Sequence, residues 1–444
     1  MKFKQKLLNL LIFSVILLSI SLSNSCSNDQ VNPSENWTNL KIAVFSDPHL
    51  FDPSLCYTGE ALENYLKTDR KLLKESSFIT ESIVNSLLKE KPDFVVVCGD
   101  LTKDGELKSH QLFESKIKKL RENGIQVFVI PGNHDILNPE SFSYYEASST
   151  KVPNISAEDF SNLYKNYGFS NAISRDKTTL SYVVEPKPGL WLLAIDANLY
   201  KENKDIETVA GNISAETMVW IKERIAEAKQ KNKMIIGTMH HGIIEHYSGQ
   251  SVYFKDYLVN NYSDVADQLA KAGLRIMLTG HFHANDITKK IVGNDFIFDI
   301  ETGSSISAPC AYRIMNLSKD GILDIKTKYV TEINYDLNGY RNFQTYAYMD
   351  LKNGLTPIVA YILKYQFKLN DDQIASSTPN LITGLMAHYA GDESPDQSTL
   401  DYISNLKNTP NMFNLGNLLS GFWTDFIPKD NNVIIDMNTG KVTE

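Results

Sequence analysis

At 444 residues the chain is longer than one ordinary domain and divides most simply into two. A hydrophobic fraction of 42% with 22% charged residues supports a sizeable core and excludes global disorder. The formal net charge of -9 argues against a nucleic-acid polymer as partner, because that affinity comes from Lys and Arg neutralising phosphates. A phosphate bound by this chain is therefore expected to be small and held by local positive charge.

The N-terminus reads as a targeting segment. Lys2, Lys4 and Lys6 precede an apolar run over residues 7–22, and small residues lead on to Cys26. This is the basic, apolar, small-residue order of a secretory signal. The run is shorter than the roughly 20 residues that span a membrane, and a plain anchor helix is the competing reading. Leu22-Ser23-Asn24-Ser25-Cys26 resembles a relaxed bacterial lipobox, in which Asn24 fits poorly. That resemblance implies a signal peptide over 1–25, lipid on Cys26, and export to the outer face of a bacterial membrane. Residues 26–39, rich in Ser, Asn, Asp and Pro, read as a tether. Of the other cysteines, Cys98 lies in a buried-strand pattern, and Cys56 and Cys310 are candidates for a pair in an oxidising compartment. No Cys-x-x-Cys occurs, which argues against thiolate zinc sites.

From residue 40 to about 335, apolar strand-like runs alternate with helical patterns. The run at 41–46 ends in Asp47-Pro48-His49. A helix is predicted over 70–89, with Leu72, Leu73, Ile79, Ile83, Leu87 and Leu88 at helical spacing. The run at 94–98 ends in Gly99-Asp100, and a helix over 107–122 stops before Asn123-Gly124. The run at 127–130 ends in Pro131-Gly132-Asn133-His134-Asp135. A strand at 190–195 and a helix at 214–229, capped by Ser214, follow. The run at 234–239 ends in His240-His241, a helix at 259–272 stops at Gly273, and the run at 274–279 ends in Gly280-His281-Phe282-His283. Strands are also predicted at 296–300, 312–315 and 322–329. The alternation specifies a layered α/β domain over 40–335, with a mixed sheet or sandwich. Residues 340–444 read instead as a separate helical domain, with short helices at 345–351, 355–367, 379–390, 398–406 and 412–422.

Five strand ends thus carry metal-ligand residues, and in open α/β sheets ligands bind beyond the carboxyl ends of strands. The donors are Asp47, His49, Asp100, Asn133, His240, His241, His281 and His283. Carboxylate, imidazole and amide donors without sulfur suit divalent Mn, Fe, Co or Zn. They are too many for one ion and suit two, with Asp100, alone on its loop, as the candidate bridge. Two ions 3.5–4 Å apart, roughly, can clamp the attacking and leaving oxygens of a phosphoryl displacement. Of the remaining histidines, His110 and His388 read as surface or helix-face residues, and His246 is a candidate for approaching the substrate.

Asp47-x-His49, Gly99-Asp100, Gly132-Asn133-His134-Asp135, His240 and Gly280-His281-x-His283, in this order, resemble the calcineurin-like metallophosphoesterase family. Each block alone is weak; together, over residues 40 to 330, they are specific. The resemblance implies a four-layer α/β/β/α sandwich with a smaller C-terminal helical domain. It implies one metal held by Asp47, His49, Asp100 and His283, and a second by Asp100, Asn133, His240 and His281. His134 would meet the substrate beside Asn133 and protonate the leaving oxygen, while a hydroxide bridging the metals attacks phosphorus in line. His240 is preferred to His241 because it is the first of the pair beyond its strand. Lys103 stands where purple acid phosphatases place a tyrosine ligand and where other relatives place an Asp that orients the histidine. Whether Asp104 takes over that second role is left open by the sequence.

Gly99-Asp100-Leu101-Thr102-x-x-Gly105 and the helical C-terminus resemble secreted bacterial cyclic-nucleotide phosphodiesterases. The expected function is hydrolysis of small phosphodiesters, cyclic nucleotides first. The alternatives are a phosphomonoesterase or nucleotidase, and a metal-stabilised surface protein that binds a partner without catalysis. Lys103 is the one rim cation evident in the sequence, and a cation-poor rim favours a monoanionic diester over a dianionic monoester.

Overall fold

The computed structural model describes residues 39–56, 59–67, 69–145 and 147–444. The signal, lipidation and tether readings at residues 1–38 lie outside the described residues. In chain order the strands are β1 (Asn39–Phe45), β2 (Phe94–Val97), β3 (Gln126–Val129), β4 (Phe142–Tyr145), β5 (Ser148–Lys151), β6 (Ser174–Arg175), β7 (Tyr182–Lys187) and β8 (Leu190–Ile195). They continue as β9 (Met234–Met239), β10 (Ile276–Thr279), β11 (Asp286–Val292), β12 (Asp295–Glu301), β13 (Ala311–Ser318), β14 (Ile322–Tyr329), β15 (Asn432–Asp436) and β16 (Val442–Thr443). Two seven-stranded sheets result, in the orders β16-β15-β14-β13-β1-β2-β3 and β11-β12-β10-β9-β8-β7-β6. Within them β1, β2 and β3 are mutually parallel, as are β8, β9, β10 and β12.

Strand alternation sorts side chains into two cores. Leu190, Leu192 and Ala194 of β8, and Ile276 and Leu278 of β10, join the cluster shared with the first sheet. Trp191, Leu193, Ile195 and Met277 face the other way, onto Met218, Ile221 and Ile225 of helix 215–230 and Val265 and Leu269 of helix 262–272. The period of two in these runs thus places a sheet between two apolar layers. The first sheet carries Ile79, Ile83 and Leu87 of helix 76–90 and Phe113 and Ile117 of helix 107–122. Two sheets between helices form the expected α/β/β/α sandwich.

The helices are α1 (Glu60–Leu66), α2 (Ser76–Glu90), α3 (Leu107–Glu122), α4 (Ala157–Leu163), α5 (Ala215–Gln230), α6 (Gln250–Tyr253), α7 (Tyr262–Ala272), α8 (Phe343–Tyr365), α9 (Asp371–Ala390), α10 (Gln397–Asn408) and α11 (Phe413–Phe422). Ser214 caps α5 as expected, accepting from the Thr217 N–H. Helix α2 begins at Ser76 rather than residue 70, because Leu72 and Leu73 are buried in a turn held by Leu72 N–H to Ile306 O at 2.9 Å. The two short helices predicted at 345–351 and 355–367 are one helix, α8. Gly354, which reads as a break, lies inside it because the chain passes close by: a Cβ there would stand 2.2 Å from Asp69 O. After α11 the expected all-helical C-terminus instead returns to the first sheet, where β15 pairs antiparallel with β14. Cys56 and Cys310 do not pair; both are free thiols, as is Cys98. No helix among the described residues is long and apolar enough to cross a membrane.

Candidate metal centre

The expected donors gather at one rim, beyond the carboxyl ends of β1, β2, β3, β9 and β10. Asp47, His49 and His283 form one donor group and Asp100, His240 and His281 another, each with its ligand atoms within 4.8 Å of one another. In the first, His49 Nε2 lies 3.2 Å from His283 Nε2, and His283 Nε2 lies 3.4 Å from Asp47 Oδ1. In the second, His240 Nε2 lies 3.2 Å from Asn133 Oδ1. Asp100 Oδ2 is 3.5 Å from His49 Nε2 and 3.3 Å from His240 Nε2, so it stands between the groups. His240, rather than His241, faces Asp100; His241 turns its Nε2 to Val209 O at 2.9 Å.

These residues fit a pair of divalent ions. Asp47 Oδ1 is buried with no hydrogen-bond partner, and a buried unpaired carboxylate oxygen calls for a cation. Burial, then the charge of Lys71, holds His49 well below its ordinary range. Burial likewise depresses His281, and takes His283 down to about 4. These three are thus held as neutral imidazoles, the form that ligates metal, whereas the fourth, His240, is lowered by burial but raised by Asp100 to about 9. Burial pushes Asp100 up, but the charges of His240 and His134 outweigh it and hold the carboxylate well below its usual range.

The backbone bends sharply to aim these groups. Asp47, His49, Asp100, His281 and His283 all have positive φ, at 50°, 33°, 50°, 83° and 74°. Such non-glycine residues cost roughly 1–3 kcal/mol each and cluster where function over-determines them. Gly132 is required by proximity: a Cβ there would stand 2.1 Å from Asp100 Oδ1. Asp135 ties the loops together, accepting from the N–H groups of Leu101, Thr102 and Gly132.

His134 stands at the edge, with Nε2 3.9 Å from Asp100 Oδ2. Its Nδ1 lies 2.8 Å from Asp104 Oδ1 and 3.0 Å from Glu207 Oε2. Burial works to lower its pKa, but Glu207 and then Asp100 raise it to about 10. Asp104 thus takes the orienting position that Lys103 cannot fill. Lys103 is buried, points away from the rim, pairs with Asp104, and sits 4.5 Å from the Tyr65 ring and 5.3 Å from the Tyr144 ring. As a rim cation it is excluded.

Sequence reasoning missed Glu207, which lies in a loop with no periodic signal, and Arg70 and Lys71, which it placed in a helix. The turn before α2 instead brings both cations to the rim. Ser307 Oγ stands 3.4 Å from His283 Nδ1 and 3.5 Å from Arg70 O, and Arg70 Nε donates to Tyr389 Oη at 3.0 Å. Lys71 is largely covered, and its ion pair is Asp69 at 4.0 Å. The rim is therefore not poor in cations: Lys71 acts on His49, and Arg70 on His283. Of the other histidines, His110 and His388 lie on helix faces, one of the two readings, but both are buried. His110 is buried, bonded to Tyr164 Oη at 3.0 Å and Asp135 O at 2.9 Å. His246 and His388 are buried in a separate acidic cluster, away from any approach to substrate.

The calcineurin-like phosphoesterase pattern matches residues 40–285, and the chain belongs to that family. Among curated proteins it is similar to one named probable glycerophosphodiester phosphodiesterase from Arcobacter nitrofigilis, 23% identical over 40% of this chain and 54% of that protein. It is also similar to an uncharacterized metallophosphoesterase of Bacillus subtilis, 37% identical over 15% of this chain and 17% of that one. The chain thus spans about half the length of the first relative and under a fifth of the second. Among solved structures, a dimetal phosphatase from Danio rerio is 14% identical, with a TM-score of 0.47 over 66% of this chain and 97% of that one. A purple acid phosphatase from yellow lupin (Lupinus luteus) seeds is also 14% identical, with a TM-score of 0.40 over 66% and 52%.

Proposed function

We propose that the protein hydrolyses small phosphodiesters, with cyclic nucleotides the first candidates, using two divalent ions. Asp47, His49, Asp100 and His283 would hold one ion and Asp100, Asn133, His240 and His281 the other, with Asp100 as the bridge. Bound there, the ions would supply Lewis acidity at the phosphoryl oxygens and an activated water at neutral pH. The observation that carries the reading is His134, held at Nδ1 by Asp104 and Glu207 while Nε2 points toward Asp100. Those carboxylates keep the imidazole protonated, and Nε2 is then free to give a proton to an alkoxide leaving group. A diester expels such a leaving group, as an alkyl monoester also does, and it is the name of the Arcobacter relative that supports the diester class. A purely binding role is disfavoured, since a metal-stabilised scaffold needs no protonated histidine beside its metals.

A second reading has its own support. Arg70 and Lys71 add positive charge near the donors, which a dianionic monoester would use. The deciding experiment compares kcat/KM for bis(p-nitrophenyl) phosphate, p-nitrophenyl phosphate and a set of cyclic nucleotides at equal metal loading. Diester preference with turnover of cyclic nucleotides is expected. Preference for the monoester, with cyclic nucleotides untouched, would install the phosphatase reading.

A further inference from the structure

A second cluster of donors lies outside the centre just described, where the C-terminal helices meet the second sheet. Asp286 opens β11, His388 lies near the end of α9, and Glu393 follows it. All three are buried, and their ligand atoms lie within 4.8 Å of one another. His388 Nδ1 is 2.5 Å from Glu393 Oε1 and 4.0 Å from Asp286 Oδ2. Glu393 Oε2 is buried with no hydrogen-bond partner. The rings of Tyr247, Phe282 and Phe422 pack on His388, with centroids 4.8, 5.6 and 6.3 Å away, and close the cluster off from water.

The surrounding groups neutralise it only in part: His246 pairs with Asp286, whereas nothing pairs with Glu393 Oε2. Asp299, Glu301 and Asp430 are also buried nearby. Arg313 is spent on the carbonyls of Asp430 and Glu301. His246 gives Nδ1 to Asp286 Oδ1 at 2.6 Å, and its Nε2 lies 3.4 Å from both Asp299 Oδ2 and Glu301 Oε2. It therefore orients Asp286 from behind, as partners of ligating carboxylates do, with help from Thr288 Oγ1 at 2.8 Å. A buried carboxylate oxygen without a partner, as Glu393 Oε2 is, is stabilised when a cation joins it.

We propose that Asp286, His388 and Glu393 bind a third divalent ion, of the zinc class, that fastens the C-terminal helices to the phosphoesterase sheets. Two carboxylates and an imidazole without sulfur suit such an ion, and with both oxygens of Glu393 engaged they would make up the four donors that a closed site needs. The site is structural: it is enclosed, holds no approach for substrate, and joins segments about a hundred residues apart in sequence (Asp286 to His388). The backbone seam beside it, Asn285 N–H to Tyr389 O at 3.2 Å, shows the same two segments already in register.

The test is metal content of the full chain by plasma mass spectrometry after growth with zinc and manganese, in four proteins: wild type, Glu393→Gln, Asp100→Ala and the double variant. Glu393→Gln is expected to lower the content by one ion per chain in both backgrounds and, with Asp100 intact, to leave kcat/KM on bis(p-nitrophenyl) phosphate within about twofold of wild type. Unchanged metal content in either background would overturn the proposal and leave a proton shared between His388 and Glu393. Should the variants fail to fold, anomalous diffraction from wild-type crystals at the zinc and manganese edges decides. A peak between Asp286, His388 and Glu393 supports the site, and a flat map there removes it. Loss of phosphodiester activity with the third ion still bound would count against the proposed function alone.

Discussion

His134 sits where three carboxylates converge, and its neighbours divide the work. Asp104 and Glu207 hold Nδ1, while Lys103 holds Asp104 from the far side, caged by the Tyr65 and Tyr144 rings. His134→Ala is expected to cut turnover by roughly 10²–10⁴-fold with metal content unchanged, as loss of general acid help does. Asp104→Asn should fall between wild type and that variant, because Glu207 still holds the ring. Equal damage from both substitutions would show that Glu207 contributes nothing. Asp100→Ala should release both ions of the centre, since Oδ2 faces both donor groups. Retention of both ions with normal turnover would end the bridging assignment.

The element that most alters the site is the turn of residues 70–75 ahead of α2. It carries Arg70 and Lys71 to the rim, and α8 presses on it through Gly354. Gly354→Ala places a Cβ 2.2 Å from Asp69 O, so the turn must move. Overpacking of this kind costs typically 1–3 kcal/mol, roughly, and here should also lower kcat/KM several-fold by displacing the cations. A variant with reduced stability but unaltered kinetics would separate the turn from substrate binding. Lys71→Ala should raise KM more than it lowers kcat, which steady-state kinetics with bis(p-nitrophenyl) phosphate would read.

At the scale of the whole molecule, burial sets the response to acid. His110 is pressed down to about 3 by burial, against an unfolded value of about 6.5. Between those values the unfolded chain binds a proton that the native state refuses, so stability is full above about pH 6.5 and is lost as pH falls. One such proton contributes a slope of about 1.4 kcal/mol per pH unit. His110→Gln should remove that share, seen as a smaller difference in unfolding midpoint between pH 7 and pH 5. Identical pH dependence in both proteins would exclude His110 as a source. We further propose that the mature protein begins at a lipid-bearing Cys26 on the outer face of the membrane. Mass spectrometry of the mature N-terminus checks this, and an unmodified N-terminus beyond Cys26 would refute it.

Read from residues alone, the strand ends already marked the donors of the candidate centre. Asp47, His49, Asp100, Asn133, His134, His240, His281 and His283 each follow an apolar run whose length and composition mark a buried strand, and parallel strands deliver their ends to one rim. The layered α/β architecture was legible for the same reason, because an apolar run bounded by turn residues is a local property of the chain. What local pattern could not reach were groups placed by distant partners. Glu207 arrives on an irregular loop, and Arg70 and Lys71 leave a helical pattern because burial of Leu72 and Leu73 and a bond to Ile306 outweigh helix propensity. Gly354 looked like a break until the neighbouring chain showed why no side chain fits. His110 and His388 read as surface or helix-face residues, and helical spacing does not reveal which neighbour will cover the face. Only the packed chain brought His388 and Glu393 to Asp286, because that meeting depends on contacts between segments far apart in sequence.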